Sequence, residues 1–342
     1  MRASDRPAAR IGWWLAGWAV MVGLTVVIGG VTRLTESGLS ITEWRPVSGV
    51  VPPIGQAAWE AEFAKYQAIP EFQLEAPEMT LDGFKRIYFW EYLHRLWARL
   101  VGAALALPLL IGWVRGSIPR GLRGRLLGLV VLVGLQGALG WYMVASGLSD
   151  RTDVSQYRLT AHLTLALVIF MVAVWTAADL TAGSRWRLDL GRSLRRHALA
   201  ATAAVLLTAM AGGFVAGTNA GKVYNEFPLM AGRVVPAGYL SLSPWYRNLF
   251  DNVAAVQFNH RLLAVVLVLV VGALAVRLGR ARGGWALAVV LGLVTVAQFM
   301  SGLWTLLASV PVPVAALHQG GAVVLLAATL LTVHRLSGAG AR

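Results

Sequence analysis

Four histidines and one carboxylate carry most of the chemistry that this sequence offers. Glu91-Tyr92-Leu93-His94-Arg95 opens an apolar run that begins near Leu96, and Gln257-Phe258-Asn259-His260-Arg261 opens another later in the chain. The acid or amide stands three residues before the histidine, so on a helix both side chains share one face. His162 and His318 lie in two further apolar runs. Ionisable residues inside apolar spans are costly and usually face a bundle interior. A lone histidine there is more often a hydrogen-bonded core residue. Four at one matched depth, two in each half of the chain, read as ligands.

There are no cysteines, so disulfides, iron–sulfur clusters and thiolate metal sites are excluded. A pair of histidines on two helices suits a haem iron with two axial imidazoles, whereas zinc wants a third ligand. Gly102, Ala103, Ala161, Gly320 and Gly321 would let a flat macrocycle lie between helices, although small residues also mark ordinary helix packing. Arg95 and Arg261 are candidate contacts for haem propionates, or they snorkel to the interface. His197 and His334 stand beside Arg195, Arg196 and Arg335 and read as interfacial polar residues.

The elements that position these residues are membrane spans. Of 342 residues 57% are hydrophobic and 13% charged, an unusual balance for a soluble domain. The apolar runs are long enough to cross a bilayer. Eight spans are expected, at about 12–32, 94–114, 122–144, 158–179, 197–216, 260–277, 285–307 and 314–334. The first is read as a retained helix rather than a signal peptide. An even number puts both termini on one side. That side collects Arg2, Arg6, Arg10, Arg115, Arg120, Arg123, Arg125, Arg185, Arg187, Arg192, Arg195, Arg196, Arg277, Arg280, Arg282, Arg335 and Arg342 against Asp5, Asp179 and Asp189. It therefore carries the whole net charge of +14, and the positive-inside rule makes it cytoplasmic. The basic excess is topological and implies no nucleic-acid partner. Long outer loops at 33–90 and 217–257 carry Trp44, Trp59, Tyr66, Tyr88, Trp90, Trp245 and Tyr246. Loops of that length often cover a site.

The chain also repeats. At an offset of 183 residues Val22, Leu24, Thr25, Gly29 and Gly30 match Val205, Leu207, Thr208, Gly212 and Gly213. Thr35, Gly38, Glu43, Gly49, Val51 and Pro53 match Thr218, Gly221, Glu226, Gly232, Val234 and Pro236. The expected fold is an all-α integral membrane protein of two tandem four-helix bundles, residues 1–180 and 181–342. Four spans per unit give a parallel repeat about an axis along the membrane normal. The matched segments differ chemically at Glu91 against Gln257. A carboxylate suits the proton management of an oxidation and an amide does not, so the first half is read as the reactive one. Alternatively, Glu91 only pairs with Arg95 one turn on.

The segments Gly29 to Thr35, Ser37 to Ile41, Glu91 to Arg95, Ala216 to Gly221 and Phe258 to Arg261 resemble those of the haem A synthase family. The resemblance runs from about residue 12 to 334. Gram-positive members carry cysteine pairs in outer loops; this chain is similar to the cysteine-free proteobacterial and mitochondrial branch. The resemblance implies an oxidoreductase of the bacterial inner membrane that oxidises the C8 methyl group of haem O to a formyl group, giving haem A for cytochrome oxidase. It implies His260 and His318 as ligands of a haem b cofactor, His94 and His162 as contacts of the substrate haem iron, and Glu91 as the catalytic residue. The sites would lie toward the outer, periplasmic side. Implied partners are haem O, the lipid bilayer, an unnamed electron donor, a functional link with haem O synthase and cytochrome oxidase assembly, and possible further copies of the chain in a homo-oligomer. Two other readings stay open. A bis-histidine dihaem cytochrome b would place haems at two depths, and a haem exporter would need an alternating-access path.

Overall fold

The computed structural model describes residues 6–337 apart from 47, 150 and 183–185, with the side chains of 6 and 7 also set aside. Arg2, Asp5, Arg6's side chain, Asp150, Arg185 and Arg342 therefore lie outside the described residues. The described residues hold ten α-helices: α1 (Arg6–Leu34), α2 (Gln56–Gln67), α3 (Pro70–Glu75), α4 (Leu81–Val114), α5 (Arg120–Ala145), α6 (Gln156–Thr181), α7 (Arg192–Gly217), α8 (Val253–Arg280), α9 (Trp285–Leu307) and α10 (Val312–Arg335). All but α2 and α3 are long and apolar enough to cross a membrane, which makes eight spans. Among the described residues there is no strand, only an isolated bridge between Met230 and Arg233.

By chain order the spans fall into two sets of four, α1 with α4 to α6, and α7 to α10. α1 lies against α4 and α6, and α5 against α4 and α6; likewise α7 lies against α8 and α10, and α9 against α8 and α10. The sets meet where α6 touches α7, α1 touches α10, and α6 touches α10. Those four helices carry much of the buried apolar core, including Leu15, Trp18, Val22, Phe170, Ala173, Ala201, Val205, Leu325 and Leu326. α5 and α9 instead expose Leu127, Val131, Leu135, Val290, Leu293 and Val296. Apolar side chains turned outward along whole helices are the expected lipid face of a spanning bundle.

Two expectations are corrected. α4 begins at Leu81 rather than at residue 94, and with α2 and α3 it makes about half of the loop expected at 33–90 helical. Thr80 caps α4 by accepting from the Gly83 amide, and the turns added before His94 bury Phe84, Tyr88 and Glu91. Phe84 and Tyr88 pack with Leu39, Tyr66, Ile69 and Val154, and with Trp59, Phe63 and Phe72 of α2 and α3, into a small separate core. Apolar content alone marks a span where lipid requires it; a helix continued under a protein cap escapes that signal.

The second correction is His334. It is fully buried rather than interfacial. Its Nε2 lies 3.0 Å from Asp179 Oδ1 of α6, and Asp179 also holds Arg125 of α5 at 2.8 Å. This network ties both helix sets together at the end away from His94, His162, His260 and His318. His197 is held by the Val270 carbonyl and by Arg277, each at 3.0 Å.

Candidate haem site

His94 (α4), His162 (α6), His260 (α8) and His318 (α10) all line one cavity of about 400 Å³. Each imidazole is half-buried. The cavity spans both helix sets, and its wall is mostly apolar, with Val26, Leu163, Val205, Ala264, Phe299 and Val323 among the lining residues. That volume falls within the range typical of sites for organic ligands.

Each histidine rests on a glycine of a neighbouring helix. A Cβ at Gly29 of α1 would stand 3.0 Å from His94 Nε2, and one at Gly140 of α5 would stand 3.0 Å from His162 Cε1. In the second set a Cβ at Gly212 of α7 would stand 3.2 Å from His260 Cε1, and one at Gly302 of α9 would stand 2.6 Å from His318 Cε1. The absent side chains set how close each ring lies to its neighbouring helix. Gly29 and Gly212 are matched positions of the sequence repeat.

Two glutamines that sequence reasoning passed over complete this arrangement. Gln136 of α5 donates to the His162 carbonyl at 3.0 Å, and its Nε2 lies 3.2 Å from His162 Nδ1. Gln298 of α9 donates to the His318 carbonyl at 3.0 Å, with Nε2 3.1 Å from His318 Nδ1. The signal was present in the sequence: each glutamine interrupts an apolar span and precedes its cradling glycine by four residues, as Gln136–Gly140 and Gln298–Gly302.

The arginines after His94 and His260 make corresponding bonds. Arg95 donates from Nη2 to the Ile41 carbonyl at 2.7 Å and from Nη1 to the Glu43 carbonyl at 2.9 Å. Arg261 donates from Nη2 to the Tyr224 carbonyl at 2.7 Å and from Nη1 to the Glu226 carbonyl at 2.8 Å. Ile41 and Glu43 stand 183 residues before Tyr224 and Glu226, the offset of the sequence repeat. The two arginines differ in what remains. Arg261 lines the large cavity, and its buried Nε has no partner. Arg95 spends Nε and Nη2 on Glu91 and lines a separate small pocket with Glu43, Trp44 and Trp141.

Glu91 is buried and fully engaged. Oε1 accepts from Arg95, and Oε2 accepts from Ser40 Oγ and the Ile41 amide, each at 2.7 Å. It is not among the residues lining the large cavity, whereas Gln257 is. Gln257 donates to the Tyr224 carbonyl at 3.0 Å, leaving its buried Oε1 unpartnered. The acid-for-amide change therefore separates a closed hydrogen-bond set from one with a free acceptor.

Outside the spans, Glu71 of α3 is buried with Oε2 unpartnered. Burial pushes its carboxyl up to about 8; the neighbouring carboxylates of Asp153, Glu91 and Glu36 act in the same direction, and Arg33 opposes them. Arg33 lines the cavity and holds Asp153 at 3.0 Å and 3.3 Å. Lys222, also lining it, pairs with Glu36 at 3.1 Å.

The residues present fit haem. They are four imidazoles lining one cavity, glycine cradles that a Cβ would fill, an apolar wall, and buried polar atoms left unpartnered at Gln136, Gln257, His260, Arg261 and Gln298. Among the described residues no three His, Asp or Glu side chains converge as a metal-holding group.

Comparison with known proteins places the chain in a family. Residues 12–330 match the model of the family described as cytochrome oxidase assembly protein. The chain is 48% identical over 338 residues to the haem A synthase of Rhodospirillum centenum, covering 98% of this chain and 90% of that one. It is 46% identical over 331 residues to the haem A synthase of Parvibaculum lavamentivorans, covering 96% and 94%. It is 46% identical over 328 residues to that of Caulobacter vibrioides, covering 95% of each. The chain belongs to the cytochrome oxidase assembly protein family.

Proposed function

We propose that this protein is a haem A synthase, an oxidoreductase that converts the C8 methyl group of haem O to a formyl group and so supplies haem A to cytochrome oxidase. The observation that carries the reading is one cavity bearing two histidine pairs on sequence-matched helices, in a chain whose full-length relatives are haem A synthases. Residues 1–180 and 181–342 are read as two four-helix halves related by a parallel pseudo-twofold axis. The matched bonds of Arg95 and Arg261 support that relation.

In this reading His260 and His318 hold a resident haem b, and His94 and His162 hold the iron of haem O. Haem b, when bound, would supply one-electron redox chemistry. The protein's own part is positional and electrostatic. Glycine cradles aim the imidazoles, the apolar wall excludes water, and Arg261 offers its unpartnered Nε to a propionate carboxylate. Arg95 has most of its N–H groups committed to protein, so its contact with a propionate is limited to what Nη1 has left.

Glu91 is proposed as the acid/base residue on the strength of its replacement by Gln257 in the other half. Its geometry gives it a second task, since Ser40, Ile41 and Arg95 anchor the segment after α1 to α4 through this one carboxylate. The protein is read as a multi-pass protein of the bacterial inner membrane, with cytoplasmic termini and haem sites toward the periplasm. Haem O synthase, an electron donor and further copies of the chain are its expected associates.

Pigment extraction from cells expressing the protein, with and without a supply of haem O, tests the reaction. Haem A is expected only in the first case. Two unchanged, identical haems in both cases would instead identify a dihaem electron carrier.

A further inference from the structure

The two histidine sites differ at one atom. His318 Nδ1 lies 3.1 Å from Ser301 Oγ. The Ser301 hydroxyl donates its one hydrogen to the Gln298 carbonyl at 2.9 Å, so toward His318 it presents a lone pair. At the corresponding place in α5, three residues after Gln136 as Ser301 is after Gln298, stands Leu139. The Gln136 amide nitrogen, a donor, lies 3.2 Å from His162 Nδ1 and 3.3 Å from its Nε2, and Leu139 offers that ring no acceptor. The amide cannot turn its oxygen to the ring without losing its bond to the His162 carbonyl at 3.0 Å.

An imidazole that binds iron through Nε2 carries its hydrogen on Nδ1, and what Nδ1–H donates to sets the ring's orientation and basicity. Both Nδ1 atoms face a glutamine amide nitrogen, that of Gln298 at 3.1 Å and that of Gln136 at 3.2 Å; only His318 has an acceptor beside it, Ser301 Oγ. We propose that Ser301 is a positioning residue that makes His318 the stronger iron ligand, and that Leu139 keeps His162 a weaker one. This rests on the assignment of haem b to His260 and His318 made above. The asymmetry matches what the two sites must do: one keeps its haem through every turnover, and the other takes in haem O and releases haem A.

Three variants of the purified, haem-loaded protein test this: Ser301→Ala, Ser301→Thr and Leu139→Ser. The readouts are the rate of haem transfer to an apo-haem acceptor protein and the midpoint potential of the bound haem. Loss of an outer-shell partner typically costs about 10–100-fold in metal affinity. Ser301→Ala is expected to speed haem loss about tenfold or more and to raise the midpoint potential, because the imidazole becomes a weaker donor. Ser301→Thr keeps the hydroxyl and is expected to restore both values. Leu139→Ser is expected to slow release of haem from the first half. Haem loss and potential unchanged in Ser301→Ala, or changed equally in Ser301→Thr, overturns the proposal. A His318→Ala control separates the two levels. If it keeps a full low-spin spectrum, the haem b assignment itself fails and the proposal falls with it. If it loses the haem while Ser301→Ala changes nothing, only the role of Ser301 fails.

Discussion

Glu91 and Arg95 form a buried pair one helical turn apart, with Arg95 Nη2 2.5 Å and Nε 2.9 Å from Glu91 Oε1. The other oxygen of the same carboxylate accepts from Ser40 and Ile41. All three partners belong to the first half of the chain. Glu91→Gln is therefore expected to spare haem b in the second half and to let haem O, or a partly oxidised product, accumulate at the expense of haem A. Loss of an acid/base group typically lowers rate by about 10²–10⁴. Extracted pigments read the result, with Ser40→Ala as the comparison. A variant that keeps the carboxylate but loses one anchor, and yet fails as badly, would assign Glu91 to anchoring alone.

Gly302 gives a test of the cradles in which the sign is informative. Alanine within a helix is favoured over glycine by about 0.8–1 kcal/mol, so Gly302→Ala would raise stability if only the helix mattered. Its Cβ would stand 2.6 Å from His318 Cε1, too close for the ring to remain. The expected result is a several-fold drop in haem b per polypeptide with the chain still folded. Gly17→Ala, where a Cβ meets nothing within 4 Å, is expected to keep full haem content. Equal haem in both variants would show that the cradle does not aim His318.

The buried Glu71 predicts a pH dependence of the outer cap. Its folded value of about 8 lies above the ordinary 4.5, so between those values the folded chain keeps the proton that the unfolded chain has lost. Its contribution is fully present below about 4.5 and is lost as pH rises through about 8. Proteolysis of the α2–α3 region is expected to accelerate from pH 5 to pH 9 in the parent protein and less steeply in Glu71→Gln. Parallel pH profiles for the two proteins would remove Glu71 as the cause.

The charge asymmetry predicts topology. Reporter fusions at Arg123, Arg192 and Arg282 are expected to report cytoplasm, and fusions near residue 150 or at Leu240 the periplasm. A periplasmic signal at any of the first three sites would overturn the assigned orientation.

The sequence by itself determined the number of spans, because lipid forces every crossing segment to be apolar along its length and that is a local property. It also determined the four ligand candidates, since an imidazole in an apolar span stands out in a one-dimensional reading. Tertiary structure decided what those side chains meet. Gly302 and His318 are in contact only because α9 and α10 pack together, and no periodicity within either helix states that pairing. The turns of α4 that carry Phe84 and Tyr88 read as loop until Tyr66 and Phe72 cover them. Glu91 and Gln257 differ by one atom type in the sequence. The difference became a closed ion-pair set and an open acceptor only when Ser40, Ile41 and Tyr224 were brought to them from segments far away along the chain. Hydrogen bonds are short-range and directional, so their partners are fixed by the packing of the whole bundle rather than by the spacing of residues along one helix.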